Sequence, residues 1–370
     1  FSLHSLRLVL SPSNLRDMSE ESPAPHRRRP RYSGRNPRRF EEKYKEHRPD
    51  QYSDDVAKVI ASGKTPAGSH RSIMVREILE VLKPLPGETA IDATLGYGGH
   101  AVEILHKLLP GGRLLGLDAD PIELPKTESR MREMGFGPEQ LTLMRSNFAG
   151  LPKALAKAGF PKADCILADL GLSSMQIDNP ARGFTFKWEG PFDLRLNPER
   201  GQPRSKFVAS LTIDKLATVL GDHADEPHSA VIAPALIEAA DQNVLSTTLD
   251  AASVVKQALE KCAPHMEHSD INQTIRRVFQ AIRIGVNDEF GALESFLRCL
   301  PGCLAPRGRV AILTFHSGED RRVKKAFQTG LRSGLYSSVA DQITRPQPEE
   351  IRSNPRASPA KLRWAVSAED

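Results

Sequence analysis

Short apolar segments alternate with segments of helical periodicity between residues 89 and 170, and this alternation predicts a parallel β-sheet. The predicted strands are Thr89–Thr94, Arg113–Asp118, Gln140–Arg145 and Ala163–Leu170. The predicted helices between them are His100–Leu109, Pro121–Met134 and Leu151–Ala158, and helical spacing within Val56–Leu82 predicts another ahead of the first strand. Repeated strand–helix units of this length form parallel sheets with right-handed crossovers.

The alternation stops after Asp169 and resumes near residue 272. Residues 172–271 show no convincing strand, and their apolar positions predict four helices: Ser205–Leu211, Ile213–Leu220, Ala230–Ala240 and Ala252–Cys262. The predicted elements that follow are a basic amphipathic helix at Asp270–Ile284, a helix at Phe290–Leu300, a strand at Val310–Phe315, a helix opened by His316–Arg321 and an antiparallel closing strand at Leu362–Val366. The pattern therefore predicts an α/β domain, residues 51–171 and 272–370, with a helical domain inserted at 172–271.

The composition predicts a globular protein with no transmembrane segment, disulfide framework or bound metal. The mean hydropathy is −0.39, and apolar runs such as Val310–Leu313 are far shorter than the ~20 residues that span a bilayer. The four cysteines form no Cys-x-x-Cys pair and lie in apolar contexts, which is typical of free thiols. The histidine pairs His265/His268 and His223/His228 lack partners at metal-ligand spacing.

The formal charge of +5 lies at the N-terminus. Residues 1–50 hold 12 Lys/Arg against 7 Asp/Glu, so the remainder of the chain sums to zero. Residues 1–16 are rich in Ser, Leu and Arg and contain no acid, which favours an organelle transit peptide over an ordinary disordered terminus. The Arg/Pro-rich residues 23–49 are predicted to be disordered, either as an arm that binds RNA phosphates or as a solubilising tail.

Three glycines follow the first predicted strand, and an acid ends the second. Gly96, Gly98 and Gly99 let the backbone approach a ligand closely, because glycine has no Cβ. Asp118 stands where an acid holds the ribose hydroxyls of a nucleoside cofactor. The glycines are more crowded than in a dinucleotide fingerprint and Asp92 lies inside the strand, which favours S-adenosylmethionine over NAD.

Seven motifs in one order carry a family resemblance. They are Thr94–His100, Asp169–Asp178, Ala181–Phe186, Gly190–Arg195, Phe279–Glu289, Phe315–Arg321 and Asn354–Ala357. In these motifs the chain resembles the bacterial-type small-subunit rRNA cytosine-N4 methyltransferases. The resemblance extends from about residue 68 to residue 366. The resemblance implies a Rossmann-like class I methyltransferase domain with an all-helical insert for substrate recognition. It also implies S-adenosylmethionine-dependent N4-methylation of a cytidine near the decoding centre.

Cofactor contacts are implied by matching positions to the family. The residues are Gly98, Gly99, His100, Asp118, Phe148, Asp169 and Gln176. Glycines would admit the methionine end, Phe148 would border the adenine, and Asp169 would lie at the end of the fourth strand, where ligands collect. Two of these positions have structural alternatives: His100 as a helix cap or packing residue, and Phe148 as core.

The hypothesis for catalysis is that Asp169, or backbone groups at 171–173, accepts a hydrogen bond from the target amine. His316 and Asp193 are predicted to line the base pocket. His316 is also a candidate general base, with the alternative that Ser317 caps the following helix together with Asp320.

The expected partner is small-subunit rRNA or the assembling small subunit, with no membrane contact, and a homodimer is left open. Candidate phosphate contacts are Arg182, Arg195, Arg276, Arg277, Arg283 and Arg321, with Lys324, Lys325 and Arg356 as further candidates. Residues 172–271 hold 9 Lys/Arg against 14 Asp/Glu, so the insert is not strongly basic. Where relatives carry a basic helix, Val231–Ile237 is almost uncharged. The insert is therefore expected to bind RNA less strongly, with help from the arm or a partner protein.

Two alternative functions stay open from the sequence. The same cofactor fold could act on another substrate, or the chain could be a non-catalytic ribosome-assembly factor that retains cofactor binding. The arm and the lead-in at residues 63–68 look like plastid-type members, which favours the chloroplast over the mitochondrion.

Overall fold

The computed structural model describes residues 72–199, 201 and 204–369. The predictions for residues 1–50 and for the start of the helix within Val56–Leu82 lie outside these residues. The described strands are β1 Thr89–Asp92, β2 Arg113–Asp118, β3 Leu141–Arg145, β4 Ala163–Asp169, β5 Leu304–Thr314, β6 Tyr336–Val339 and β7 Lys361–Ser367. They form one sheet in the order β3-β2-β1-β4-β5-β7-β6. Among these strands, β7 runs antiparallel to both β5 and β6, and the other four pairs are parallel.

Thirteen α-helices are described. They are α1 Val75–Leu82, α2 Gly99–Leu108, α3 Glu123–Glu133, α4 Leu151–Ala158, α5 Ser174–Asp178, α6 Arg204–Ala209, α7 Ile213–Ala224, α8 Ser229–Asp241, α9 Thr248–Cys262, α10 His268–Asn287, α11 Glu289–Cys303, α12 Ser317–Arg332 and α13 Pro348–Ser353. The strands β1 to β4 and the helix α4 match their predicted bounds within two residues. The short elements β6, α5 and α13 were not predicted.

Helices cover both faces of the sheet, which explains why its strands read as continuous apolar runs. One face packs against α4, α11 and α12, with Phe296 fully buried at the centre. The other face packs against α1, α2 and α3. The sheet is therefore a rigid platform whose strand ends are held in register.

The helices α7 to α9 form a third core outside the sheet, together with one side of α10. The predicted domain boundary between residues 271 and 272 falls inside α10. Ile271, Val278 and Ile282 of that helix are buried in the helical cluster. Judged by its buried contacts, most of α10 therefore belongs to the helical cluster rather than to the sheet domain.

The strand order places three acids at one edge of the sheet. From β1 the chain continues outward to β2 and β3, whereas β4 and β5 lie on its other side, so the strand order reverses at β1. Ligands of open α/β sheets bind beyond the carboxyl ends of the strands at such a point. The three adjacent parallel strands β2, β1 and β4 end in Asp118, Asp92 and Asp169.

Candidate active site

A cleft of about 940 Å³ opens beyond these strand ends. Its floor is the glycine turn after β1 and the ends of β2 and β4. Its opposite wall comes from residues 184–187 and from α10, and residues 354–359 close one side. The cleft therefore lies between the sheet and the helical unit, where motifs from both halves of the chain meet.

Asp118 fastens the glycine turn to the end of β2. Its Oδ2 accepts a hydrogen bond from the Gly96 amide at 2.7 Å, and its Oδ1 accepts one from the Asp120 amide at 2.8 Å. Burial raises the pKa of Asp118 to about 6, because these two amides only partly replace the lost water. The carboxylate lines the cleft, as its predicted ribose contact requires.

The glycines of the turn have different positions. Gly96 and Gly99 line the cleft, whereas Gly98 is absent from its described lining. Gly98 has φ +78°, and a Cβ there would lie 2.9 Å from Met131 Sδ of α3. The predicted cofactor contact of Gly98 is thus not supported by this placement. Its need for glycine is explained by the left-handed backbone and by the contact with α3.

Asp92 and His100 are buried, and Asp169, whose side chain is 29% exposed, lies beside His100 in the lining of the cleft. Burial raises the pKa of Asp92 to about 7 and that of Asp169 to about 7. Burial also lowers the pKa of His100, whose Nε2 donates to the carbonyl of Ile73 at 2.9 Å. The His100 Nδ1 lies 3.6 Å from Asp169 Oδ2. A neutral ring, held by the backbone, therefore borders the acid predicted to accept the amine proton.

Two further predicted cofactor contacts line the cleft. Phe148 lies in a short 3₁₀ helix and packs edge-on against Phe296, with ring centroids 5.5 Å apart. Gln176 of α5 donates from Nε2 to Asp120 Oδ2 at 2.8 Å. Its Oε1 accepts from the Ser173 amide at 3.0 Å. Both side chains are thus fixed before any ligand binds.

His316 lines the cleft, but its ring nitrogens do not face it. Both nitrogens are buried, and Nε2 lies 3.1 Å from Glu319 Oε1. Burial opposes the charge on Glu319, yet His316, the Phe315 amide and Arg283 keep the pKa of Glu319 below its ordinary value. The geometry therefore makes His316 a wall of the pocket whose ring nitrogens are shielded from solvent, and its role as a general base stays a prediction.

The alternative capping role of Ser317 is wrong. The helix α12 has no side-chain hydrogen bond at its N-cap. The Ser317 hydroxyl donates instead to Asp225 Oδ2, at the end of α7, at 2.7 Å. Asp320 pairs with Arg363 on β7, with 2.6 Å between Arg363 Nε and Asp320 Oδ1.

Asp193, predicted to line the base pocket, is absent from the described lining of the cleft. Both of its carboxylate oxygens accept from the Arg195 guanidinium, at 2.6 and 2.7 Å. The neighbouring Leu194 lines the cleft in its place. Because its acceptors are already engaged, Asp193 holds Arg195 rather than a base.

The six arginines predicted to contact phosphate divide into two groups. Arg182, Arg195 and Arg283 are largely buried, and each pairs with an acid of the protein, which makes them unsuitable as phosphate contacts. Arg276, Arg277 and Arg321 keep at least part of their surface in solvent. Of these, Arg276 lines the cleft, and Arg277 lies 3.8 Å from the buried Glu226.

Sequence reasoning missed two acids that organise the site. Asp120 accepts hydrogen bonds from both Arg182 and Gln176, and Glu319 contacts His316. Glu319 lies within the motif Phe315–Arg321, and Asp120 lies two residues after Asp118. Their polar character at buried positions was the available signal, but burial could not be assigned without the fold.

No group of three potential metal ligands occurs among the residues that the structure describes. Within the same ranges no helix has the length and apolar character needed to cross a bilayer.

Comparison with known proteins gives one consistent result. The model of the MraW methylase family matches residues 67–368. The chain is 50% identical to ribosomal RNA small subunit methyltransferase H 2 of Alkaliphilus metalliredigens over 342 residues, 92% of this chain and 97% of the relative. It is 48% identical to ribosomal RNA small subunit methyltransferase H 1 of Lachnoclostridium phytofermentans over 344 residues, 93% of each chain. Both alignments are too long to fit within residues 51–370, so both reach into the Arg/Pro-rich arm.

Among solved structures, TrmN from Thermus thermophilus overlaps with a TM-score of 0.36 at 14% identity, covering 80% of this chain and 48% of that one. The fold is identified by the strand order and the family match, which are those of a Rossmann-like class I methyltransferase.

Proposed function

The chain belongs to the MraW methylase family, and from this premise we propose that it methylates the N4 amine of a cytidine in small-subunit rRNA near the decoding centre. The enzyme is an S-adenosylmethionine-dependent methyltransferase. The observation that carries the proposal is the cleft at the ends of β2, β1 and β4, where Asp118 and Asp169 face a wall of aromatic and basic side chains.

The residues of the cleft fit S-adenosylmethionine. Asp118 and Asp169 have raised pKa values because burial is not offset by an arginine or lysine among the described residues. Ribose hydroxyls would donate to Asp118, and the positive sulfonium would favour the ionised form of the acids nearby. Phe148 presents an aromatic face for the adenine. When bound, the cofactor supplies an electrophilic methyl group.

The chain itself then has to orient the amine and remove its proton. Orientation in well-aligned systems contributes roughly 7–11 kcal/mol. We assign the hydrogen bond from the amine to Asp169, whose pKa of about 7 lets it accept a proton near neutral pH. His316 and Phe315 line the cleft beside it and exclude water from one side of the base.

The RNA would approach from the side of α10. Arg276 and Lys187 line the cleft and are exposed, as contacts to a folded RNA require. Structured RNA is recognised through its backbone and shape, and a target base inside a helix has to be turned out of its stack. The Arg/Pro-rich arm is a candidate for an additional phosphate contact, because residues 1–50 hold 12 Lys/Arg against 7 Asp/Glu.

Incubation with labelled S-adenosylmethionine and undermethylated small ribosomal subunits, followed by nucleoside analysis, tests the function. Label in N4-methylcytidine is the expected result. Cofactor binding without label would identify a non-catalytic assembly factor instead, and label in another nucleoside or in protein would identify another substrate.

The chloroplast location and the homodimer stay predictions from the sequence. Import of the tagged chain into isolated organelles tests the first, and sedimentation of the purified protein tests the second.

A further inference from the structure

A buried ion pair joins the loop after β2 to the segment that follows β4. Asp120 is 1% exposed and Arg182 is 8% exposed, and Arg182 Nη1 lies 2.6 Å from Asp120 Oδ2. The same oxygen accepts from Gln176 Nε2 at 2.8 Å. The other oxygen accepts from the Ile122 amide at 2.8 Å. Both carboxylate oxygens of Asp120 are thus engaged by groups from three segments.

On the cofactor side, Asp120 is fixed through Asp118. The Asp120 amide donates to Asp118 Oδ1, while Asp118 Oδ2 holds the Gly96 amide of the glycine turn. A ligand that binds Asp118 therefore acts on the same peptide unit that carries Asp120.

On the substrate side, Arg182 continues the connection. Its Nη2 donates to the carbonyl of Leu196 at 2.9 Å, and Leu196 lines the cleft. The residues that directly follow Arg182, from Phe184 to Lys187, also line it. Arg182 thus fixes both ends of the segment that faces the incoming RNA.

We propose that Asp120 and Arg182 are positioning residues that couple cofactor binding to RNA binding. This inference rests on the proposed function. Ribose contacts to Asp118 stabilise the loop that carries Asp120, and Asp120 in turn holds the wall that contacts RNA. Coupling of two sites is reciprocal and is typically roughly 5–150-fold in affinity.

The test uses the full chain, undermethylated small ribosomal subunits and S-adenosylhomocysteine, which cannot donate a methyl group. The dissociation constant for the subunits is measured with and without S-adenosylhomocysteine. Wild type should bind the subunits at least about 5-fold tighter with S-adenosylhomocysteine. The variant Arg182→Lys should lose this gain but bind S-adenosylhomocysteine alone within about threefold of wild type. It keeps the charge opposite Asp120 but cannot also reach Leu196 with a planar fork.

The matched control is Arg132→Lys. Arg132 also bonds two backbone carbonyls, those of Phe136 and Leu141, but it is absent from the described lining of the cleft. Arg132→Lys should retain the full increase in subunit affinity with S-adenosylhomocysteine. Arg132→Lys and Arg182→Lys should unfold at similar denaturant midpoints. If Arg182→Lys does not fold, Asp120→Asn combined with Arg182→Gln removes both buried charges together and should show the same loss.

A full gain in the folded Arg182 variant would overturn the inference, as would wild-type binding that is insensitive to S-adenosylhomocysteine. In both cases methylation of the subunits would continue, so the proposed function would stand. Wild type that neither binds nor methylates the subunits would instead overturn the proposed function itself.

Discussion

The two walls of the cleft differ in how their charges are compensated. On the sheet wall, Asp118 and Asp169 line the cleft, and Asp92 ends the strand between theirs. The pKa values of Asp118, Asp169 and Asp92 are raised to about 6, 7 and 7, with burial as the largest cause. Across the cleft, Arg283 is paired with Glu289 through two hydrogen bonds of 2.8 and 2.9 Å. Arg195, which is next to the cleft-lining Leu194 and Leu196 but outside the described lining itself, is likewise paired with Asp193.

This difference shows which wall is prepared for a ligand. A buried acid without a cation costs free energy in the unbound protein, and a ligand with hydroxyl donors or a positive centre recovers it. An arginine that is already paired with an acid needs no such compensation from a ligand, and it contributes to the shape of the wall. The cofactor therefore belongs to the sheet wall, and the helical wall is shaped in advance for the RNA.

The largest expected effect is on turnover, from Asp169→Asn. The amide cannot accept the amine proton, so kcat should fall by about 10²–10⁴-fold, as for loss of a general base. Affinity for S-adenosylmethionine should fall by a smaller factor than kcat, because Asp169 is also a predicted cofactor contact. Single-turnover methylation and calorimetric binding measure the two quantities separately. Normal binding with full turnover would show that Asp169 has no role in proton transfer.

Asp92→Asn should change the pH dependence of stability. The folded pKa of about 7 lies above the ordinary value of 3.8 for an aspartate. The contribution of Asp92 to the free energy of unfolding is thus fully present below about pH 4 and is lost as pH rises through 7. The variant removes this loss, which amounts to on the order of 4 kcal/mol at pH 8. His100 has a lowered pKa and gives the opposite slope at lower pH.

Urea unfolding of wild type and Asp92→Asn at pH 5, 6, 7 and 8 measures the difference. Parallel curves for the two proteins would mean that the Asp92 carboxylate is already compensated in the folded state.

Asp118→Asn should weaken cofactor binding by about 10–100-fold, since one or two hydrogen bonds to a charged group contribute roughly 1.5–3 kcal/mol each. The wild-type pKa of Asp118 is about 6, so wild-type affinity should rise with pH through 6 as the carboxylate ionises. The variant should lack this rise. Calorimetry at pH 5 and pH 8 tests both points, and equal affinities for the two proteins would exclude the ribose contact.

The sheet was predictable because burial on both faces leaves continuous apolar strands between helices. β2 was predicted as Arg113–Asp118, as observed. β6, which has four residues and reads Tyr-Ser-Ser-Val, carries no comparable signal. It exists because β7 offers it an edge. The family could likewise be predicted from the motifs. Their order along the chain can be matched without knowing which residues their side chains contact.

The roles of charged side chains were less predictable. Arg182 and Arg276 look equivalent along the sequence, yet the first is buried against Asp120 and the second is exposed in the cleft. Arg182 pairs with an acid 62 positions away in the sequence. The spacing of residues within a motif cannot reveal a contact of that kind. Asp193 lies two residues before Arg195, and sequence order alone could not show that the two neutralise each other.

The smallest effect is expected from a pair of arginine variants, one at Arg276 on the helical wall and one at Arg195, outside the described lining of the cleft. Arg276→Ala removes an exposed cation that lines the cleft, so RNA binding should weaken by several-fold and the salt dependence should fall by about one released counterion. Arg195→Ala removes a guanidinium that already serves Asp193, so the salt dependence should not change. Filter binding of undermethylated small subunits between 50 and 200 mM salt measures both slopes. Equal losses of slope would mean that paired and unpaired arginines meet the RNA alike, and the contrast between the two walls would then not extend to the RNA.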